Sequence, residues 1–486
     1  MSIERKAISA LRWATAAKLV VQLTSWAGTF VVVRLLSPED YGLMAKVAVV
    51  CVVAGAIAEL GLAGAIVRSK DVNQDELRKI YGVSLIAGTA ITALVAACAP
   101  LLSRMFHETH LAWPIAVASL QIIIAAAATV PTAMATRNLS FRRLSKVEMV
   151  AGISAVAATL ALALLGAAVW ALVLGSLIGA LIRSTMLLVS GERVRPRFSF
   201  EGISEHLKFG LTLVGNRLSY HVVVQSDVLI GSAFLSTTEI GQYAVALQLA
   251  TLPMTKVMGT INQIMLPAIA RQQDDRGRVR NALLRSVGLV SLVAFPALWG
   301  ISAVAPELVL VLLGPKWLPA VPALTILPLI VPVRMISSII FTSSLALGNR
   351  NSDLRSTVVN LIFLPAGFFI GAHWGLVGLC LAWLVSVPLA YLFSVPSALR
   401  LIGISGIQLL GECGPPAAAT IIMYGSIAGL RYLLPEQPEI VALVGSIATG
   451  VVVYFGVMVL VARRQLVSAR NFTRSFLGAD APRPAG

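Results

Sequence analysis

Runs of apolar residues, each about as long as a membrane is thick, alternate with short polar gaps along nearly the whole chain. An α-helix needs about 20 residues to cross a hydrocarbon core of about 30 Å. Fourteen runs qualify, near 13–36, 43–66, 80–102, 111–134, 147–166, 168–190, 208–234, 241–267, 282–305, 320–347, 355–373, 375–397, 408–433 and 439–461. The expected fold is therefore all-α and polytopic. The first run follows a basic stub with no small-residue cleavage site, so it reads as a transmembrane helix and not as a removed signal peptide. An even number of spans puts both termini on one side.

Polar positions inside the runs carry the next signal. An ionisable side chain at the bilayer centre costs about 2.5 to 3.5 kcal/mol on insertion scales, so those that remain face protein or a wet cavity. Lys18, Lys46, Arg183, Arg217, Lys256 and Arg334 lie within spans. Lys46 and Arg183 sit near span ends, where snorkelling explains them; Arg217 and Arg334 are near mid-span. Residues three and four apart share a helix face. In the first span Lys18, Gln22, Ser25 and Thr29 share one, and in the seventh Arg217, Tyr220, His221, Gln225 and Asp227 do, opposite Leu218, Val222 and Leu229. The tenth repeats the pattern with Arg334, Ser337, Ser338 and Thr342. Lipid does not tolerate such stripes, so they are expected to converge on an aqueous lumen. Hydrogen-bond glue between helices accounts for the hydroxyls but poorly for the arginines.

The pattern also repeats. Leu36-Ser-Pro-Glu-Asp-Tyr-Gly42 follows the first span and Leu235-Ser-Thr-Thr-Glu-Ile-Gly241 the seventh, an offset of 199 residues. The same offset maps Lys18 onto Arg217 and Gln22 onto His221. An odd-numbered span matched to an odd-numbered span implies two parallel halves, and transporter sites commonly lie between such repeats. The expected organisation is a six-helix bundle over 1–200, a second over 201–400, two further helices over 401–462 and a cytoplasmic basic tail over 463–486.

Composition agrees. With 57% hydrophobic and 12% charged residues and a mean hydropathy of +0.86, the chain lies far from soluble domains, which are about 25% charged. The net charge of +16 is topological: 28 of the 38 Lys and Arg fall in every second gap, which puts those gaps and both termini in the cytoplasm. No dense, aromatic-interleaved basic patch marks a nucleic-acid surface; Arg271 to Arg285 and the tail are placed to touch anionic headgroups. Cys51, Cys98, Cys380 and Cys413 lie in separate runs without metal spacing. No nucleotide, hydrolase or metalloprotease fingerprint occurs, and no polar stretch is long enough for a catalytic domain. An ATP-driven mechanism and a bound cofactor are therefore not expected. Two glycosylation sequons, at Asn138 and Asn471, fall on the cytoplasmic side and are discarded.

Arg34-Leu-Leu-Ser-Pro-Glu-Asp-Tyr-Gly42, Glu59-Leu-Gly-Leu-Ala-Gly64 and Arg137-Asn-Leu-Ser-Phe-Arg-Arg-Leu144 resemble the first half of Wzx-type polysaccharide flippases. Asp227-Val-Leu-Ile-Gly231, Gly241-Gln-Tyr243, Leu312-Leu-Gly-Pro-Lys-Trp317 and Ala346-Leu-Gly348 continue the resemblance over roughly residues 5–400. It is nearest to the colanic-acid-exporter-like branch of the multidrug/oligosaccharidyl-lipid/polysaccharide (MOP) superfamily. The resemblance implies two bundles around a cavity and alternating access. It also implies transfer of an undecaprenyl-diphosphate-linked oligosaccharide to the periplasmic leaflet of a bacterial inner membrane. Arg334 departs from the family pattern. Guanidinium groups bind phosphate strongly in a low dielectric. Arg217, Lys18, Lys256 and Arg334 are accordingly expected to hold the diphosphate or acidic sugars, with Gln22, Tyr220 and Gln225 on hydroxyls. Asp227, His221 and Glu59 are the candidates for ion coupling, with H⁺ and Na⁺ both open, and Asp227 alternatively neutralises Arg217. Partners expected are the lipid-linked cargo, membrane lipids, and a polymerase and chain-length regulator of the same pathway. A drug exporter of the superfamily would need acids to dominate its lumen, and a polymerase or ligase would need a large periplasmic loop; neither feature is present.

Overall fold

In hydrocarbon every backbone N–H and C=O must find its partner within the protein, which leaves the helix as the form of an apolar run. The computed structural model describes residues 26, 28–68, 73–138, 140–191, 194–199, 204–270, 275–348, 350–434, 437–463 and 465–467. Among the described residues there is no strand. Among these residues eleven helices are long and apolar enough to cross a membrane by length and composition. The protein is a multi-pass membrane protein.

Its helices are α1 (28–35), α2 (Pro38–Ala58), α3 (Leu62–Arg68), α4 (Gln74–Met105), α5 (Ala112–Arg137), α6 (Phe141–Leu164), α7 (Val169–Ser190) and α8 (Ser204–Gly231). They continue with α9 (Thr237–Ala270), α10 (Arg276–Ala303), the short α11 (Ala305–Leu308), α12 (Val321–Ala346), α13 (Arg350–Ala372), α14 (Gly375–Ile402), α15 (Gly406–Leu433) and α16 (Glu439–Val461). Most of the run 13–36 lies outside the described residues. The run 43–66 is not one helix: Leu60 at φ 48° and Gly61 at φ 62° break it between α2 and α3. The loop near 306–319 is also structured, through α11, a π turn over Val309–Leu313 and a 3₁₀ turn over Pro315–Ala320 that buries Trp317 completely.

The chain forms two compact units, Met1–Gly241 and Gln242–Gly486. In the first, α4 packs on α5, α5 and α6 each on α7, and α8 on α2 and α3. Small residues permit the close approach, Gly175 against Thr159 and Gly179 against Ala155. One end of this unit collects basic groups. The 194–199 segment is tied to α4 by Arg197 N–H donating to Arg78 O at 2.8 Å and by the Arg197–Asp75 ion pair at 2.6 Å. There too Arg137 donates to Ile66 O near the end of α3, at 3.1 Å.

In the second unit α10 and α12 are the interior elements, with 61% of the apolar window of α12 buried against 17% for α16. α13 pairs with α14, α12 with α10 and α14, and α15 with α10 and α16. The last two helices are seated by Met423, Ile427, Tyr454 and Met458, and Tyr454 Oη donates to Leu292 O at 2.8 Å.

Candidate functional site

Arg334 lies midway along α12, about 20 Å from its start at 1.5 Å per residue. Its guanidinium carbon is 4.4 Å from the ring centroid of Trp383 on α14. Trp383 is only 2% exposed; its indole N–H donates to Tyr243 Oη at 2.7 Å, and Phe368 packs on its ring at 5.0 Å. A cation over an indole face gains about 0.5 to 2 kcal/mol, less than charge burial costs. Among the described residues Arg334 makes no ion pair. It is a half-buried cation with an immobilised ring behind it and, among the described residues, no carboxylate paired with it.

The rest of the α12 stripe is less open than helical phase implied. Ser337 is buried and its hydroxyl donates to Val333 O at 2.8 Å, so it serves its own helix. Ser338 and Thr342 are half-buried.

On α8 the stripe spans very different environments. Tyr220 is 61% exposed with its ring edge-on to His221 at 5.6 Å, while Gln225 and His221 are half-buried. Asp227 is fully buried and accepts the N–H of Val228 at 2.7 Å. Its depth is greater than a lumen-facing position requires. Lys18 and Gln22 lie outside the described residues. Arg217 and Lys256 lie on the backbones of α8 and α9, and their side chains lie outside what is described.

Glu59 caps α2 at the helix break and lines a cavity of about 330 Å³ in the first unit, with Thr129 and Thr132 of α5 and Arg183 of α7. In transporters, interrupted helices place backbone carbonyls and half-helix ends toward ion sites; here the break between α2 and α3 lies beside Glu59 and this cavity. Arg183 pairs with Glu148 on α6 at 2.7 Å, with both side chains partly exposed.

Lys46 does not snorkel. Its ammonium is 2% exposed, donating to Thr237 Oγ1 at 2.7 Å and pairing with Glu108 Oε1 at 3.2 Å, while the Thr237 hydroxyl contacts the same carboxylate. Position within the span says nothing of the nearest partner, which sits 191 residues away. Helix periodicity carries no signal for such a partner, nor for Trp383.

The repeat is physical. Ser37 and Asp40 form a capping box on α2, and Ser236 and Glu239 make the same reciprocal bonds on α9. The two copies meet at their glycines: a Cβ on Gly42 would strike Thr237 O, and one on Gly241 would strike Pro38 O. Those two carbonyls are themselves 199 residues apart, so the contact is reciprocal.

Two further cavities differ in chemistry. One of about 410 Å³ in the second unit, among Pro296, Gly300, Met423, Ile447 and Tyr454, is almost wholly apolar and offers nothing to hold a phosphate. Another, of about 280 Å³ in the first unit, is polar and lined by Asn138, Ser140, Arg143 and Ser190.

The chain matches the model of a family described as "Polysaccharide biosynthesis protein" over residues 31–322. It is 24% identical over 393 residues to the lipopolysaccharide biosynthesis protein WzxC of Escherichia coli (strain K12), across 79% of each chain. To the succinoglycan biosynthesis transport protein ExoT of Rhizobium meliloti (strain 1021) it is 26% identical over 328 residues, 64% of this chain and 66% of that one. Its fold is similar to that of the lipid II flippase MurJ in an inward closed conformation, with a TM-score of 0.76 at 17% identity over 92% of this chain and 99% of that one.

Proposed function

The chain belongs to the polysaccharide biosynthesis protein family, and on that premise we propose that it is a flippase for an undecaprenyl-diphosphate-linked oligosaccharide. It moves the repeat unit of a lipopolysaccharide, exopolysaccharide or capsule from the cytoplasmic to the periplasmic leaflet of a bacterial inner membrane, by alternating access. It is a transporter and not an enzyme, in keeping with the relatives it matches. Both termini are cytoplasmic on the positive-inside count, and a polymerase and chain-length regulator act on the delivered unit.

The observation that carries this reading is Arg334. A guanidinium at the centre of an apolar helix, stacked on a buried indole and without an acidic partner among the described residues, is a costly feature with one chemical use. It receives an anion, and a diphosphate or uronic acid fits that demand. Arg217, Lys18 and Lys256 supply further cationic contacts, and Tyr220, Gln22 and Gln225 contact sugar hydroxyls. The reciprocal contact of the two repeat copies supports an ancestral duplication, with bundles over 1–200 and 201–400, a two-helix extension over 401–462 and a cytoplasmic tail over 463–486. Ion coupling runs through Asp227, His221 or Glu59.

The test is a complementation assay. A deletion strain accumulates lipid-linked single repeat units facing the cytoplasm, and Arg217→Ala with Arg334→Ala fails to restore surface polysaccharide at equal expression. Wild-type polysaccharide from the double variant overturns the assignment of the cargo site. Single units accumulating on the periplasmic side instead identify a polymerase.

A further inference from the structure

The motif Arg137-Asn-Leu-Ser-Phe-Arg-Arg-Leu144 has more structure than a topological charge cluster needs. Retention on one side of a membrane requires only basic side chains near a helix end, and a dangling lysine would serve. Arg143 does not dangle. Its Nε donates to Ser190 Oγ at 2.8 Å and its Nη2 to Leu187 O at 2.8 Å, which fixes the guanidinium against the last turn of α7. A guanidinium carries five donors, and among the described residues those two bonds are the only ones it makes and no carboxylate pairs with it. The fixed group borders the 280 Å³ cavity, whose other polar walls are the neutral Asn138, Ser140 and Ser190. The Ser140 hydroxyl is not spent on capping α6. Ser190, which accepts from Arg143, donates its own hydroxyl to Met186 O and so positions the guanidinium, which leaves Asn138 and Ser140 as the neutral groups that face a ligand.

A fixed fork of unused N–H donors beside neutral hydrogen-bonding groups suits a tetrahedral oxyanion, because guanidinium geometry matches phosphate oxygens in pairs. The volume is at the small end of ligand pockets, which run from about 300 Å³ upward, so it takes a headgroup and not a glycan. Arg142 and Lys146 follow on exposed positions of α6, and Arg195 and Arg197 on the adjoining segment, so the cavity opens within a basic surface at the end of the first unit. We propose that this pocket binds the phosphate of a lipid headgroup at the membrane surface, by Arg143 with Asn138 and Ser140. Two sources share that chemistry, the diphosphate of the cargo before it is carried across and the phosphate of a bulk anionic phospholipid. The first source rests on the flippase reading; the pocket's affinity for phosphate does not.

The experiment separates these dependences. Purified full-length protein in neutral-lipid nanodiscs is titrated with inorganic pyrophosphate, and its melting temperature and apparent Kd are read. The wild type is stabilised, and both Arg143→Gln and the double variant Asn138→Ala with Ser140→Ala weaken binding, the first by roughly ten-fold, as expected when a charge-assisted hydrogen bond is lost. The double variant leaves the Arg143 clamp on α7 intact, so it tests the pocket even if Arg143→Gln does not fold. Unchanged pyrophosphate affinity in the double variant overturns the proposal. Undecaprenyl diphosphate and phosphatidylglycerol are then incorporated separately into the nanodiscs. Competition by the first alone identifies the cargo, equal competition identifies bulk lipid, and competition by neither overturns the headgroup assignment. Pyrophosphate binding that survives while Arg217→Ala with Arg334→Ala still supports export overturns the cargo-site assignment and leaves the pocket standing.

Discussion

At the scale of single residues, two intramembrane cations show how a partner changes a charge's meaning. Lys46 is consumed by Glu108 and Thr237, so its role is to hold the turn between α4 and α5 and the start of α9 onto α2. Breaking a fully buried pair costs about 3 to 5 kcal/mol because the remaining charge is stranded. Glu108 keeps 28% exposure, so Lys46→Met is expected to destabilise by about 2 to 3 kcal/mol. The pair Lys46→Met with Glu108→Met recovers most of that loss. Thermal unfolding in detergent checks both, and full additivity of Lys46→Met and Glu108→Met contradicts the pairing. Arg334 keeps an aromatic partner but, among the described residues, no acid. Trp383→Leu is expected to reduce export several-fold at equal amounts of folded protein in the membrane, because the cation loses the ring that orients it. Trp383→Phe retains a π face and restores part of the activity, whereas equal export by both variants removes Trp383 from the site. Sequence periodicity placed Arg334 at mid-span but said nothing of the indole, which comes from a different helix.

Among whole elements, the repeated Leu-Ser-x-x-[Asp/Glu]-x-Gly stretch was legible as a helix start, since Ser and an acid three residues on form a capping box. Its second use was not legible. That Gly42 and Gly241 are required where the two copies cross depends on carbonyls of the other copy. The strap over 194–199 is similar: it reads as a basic loop, and only in the structure does Arg197 lie on Asp75. Helix α4 has 32 residues, about 48 Å, which exceeds the hydrocarbon core of about 30 Å. Asp75, in its first turn and ahead of the apolar run, therefore projects beyond the membrane. Hydrogen bonds from Lys79 and then Arg197 hold its carboxyl below the usual carboxylate range. A depressed folded-state pKa stabilises above the unfolded value of about 3.9 and loses its effect as pH falls through the folded one. The strap should therefore be protected at neutral pH and released only in acid below that range. Hydrogen exchange at 194–199 checks this, and in Asp75→Asn the exchange is expected to be fast at neutral pH as well.

For the whole molecule, a chain with no nucleotide fingerprint in its sequence has three sources of energy open to it, an ion gradient, the membrane potential and downstream consumption of the cargo, and ion coupling is the one proposed. The deep burial of Asp227 allows two roles, proton carrier or structural anchor of the α8 terminus. Asp227→Asn is expected to export at a reduced rate that no longer responds to pH or to collapse of the proton gradient. An unchanged dependence assigns coupling elsewhere, with Glu59 at the α2–α3 break the next candidate. The sequence by itself determined the helical character, the position of nearly every described apolar helix, the internal repeat and the family. Those depend on local quantities: hydrophobic length, helical phase and motif order, each contained within one stretch of chain. What only the tertiary structure decided is which charges are satisfied. Lys46 and Arg183 found carboxylates, Arg143 found the end of α7 beside a cavity, and Arg334 found an indole. Electrostatic meaning inside a membrane is set by the atoms within a few ångströms, and those atoms come from helices that only folding brings together.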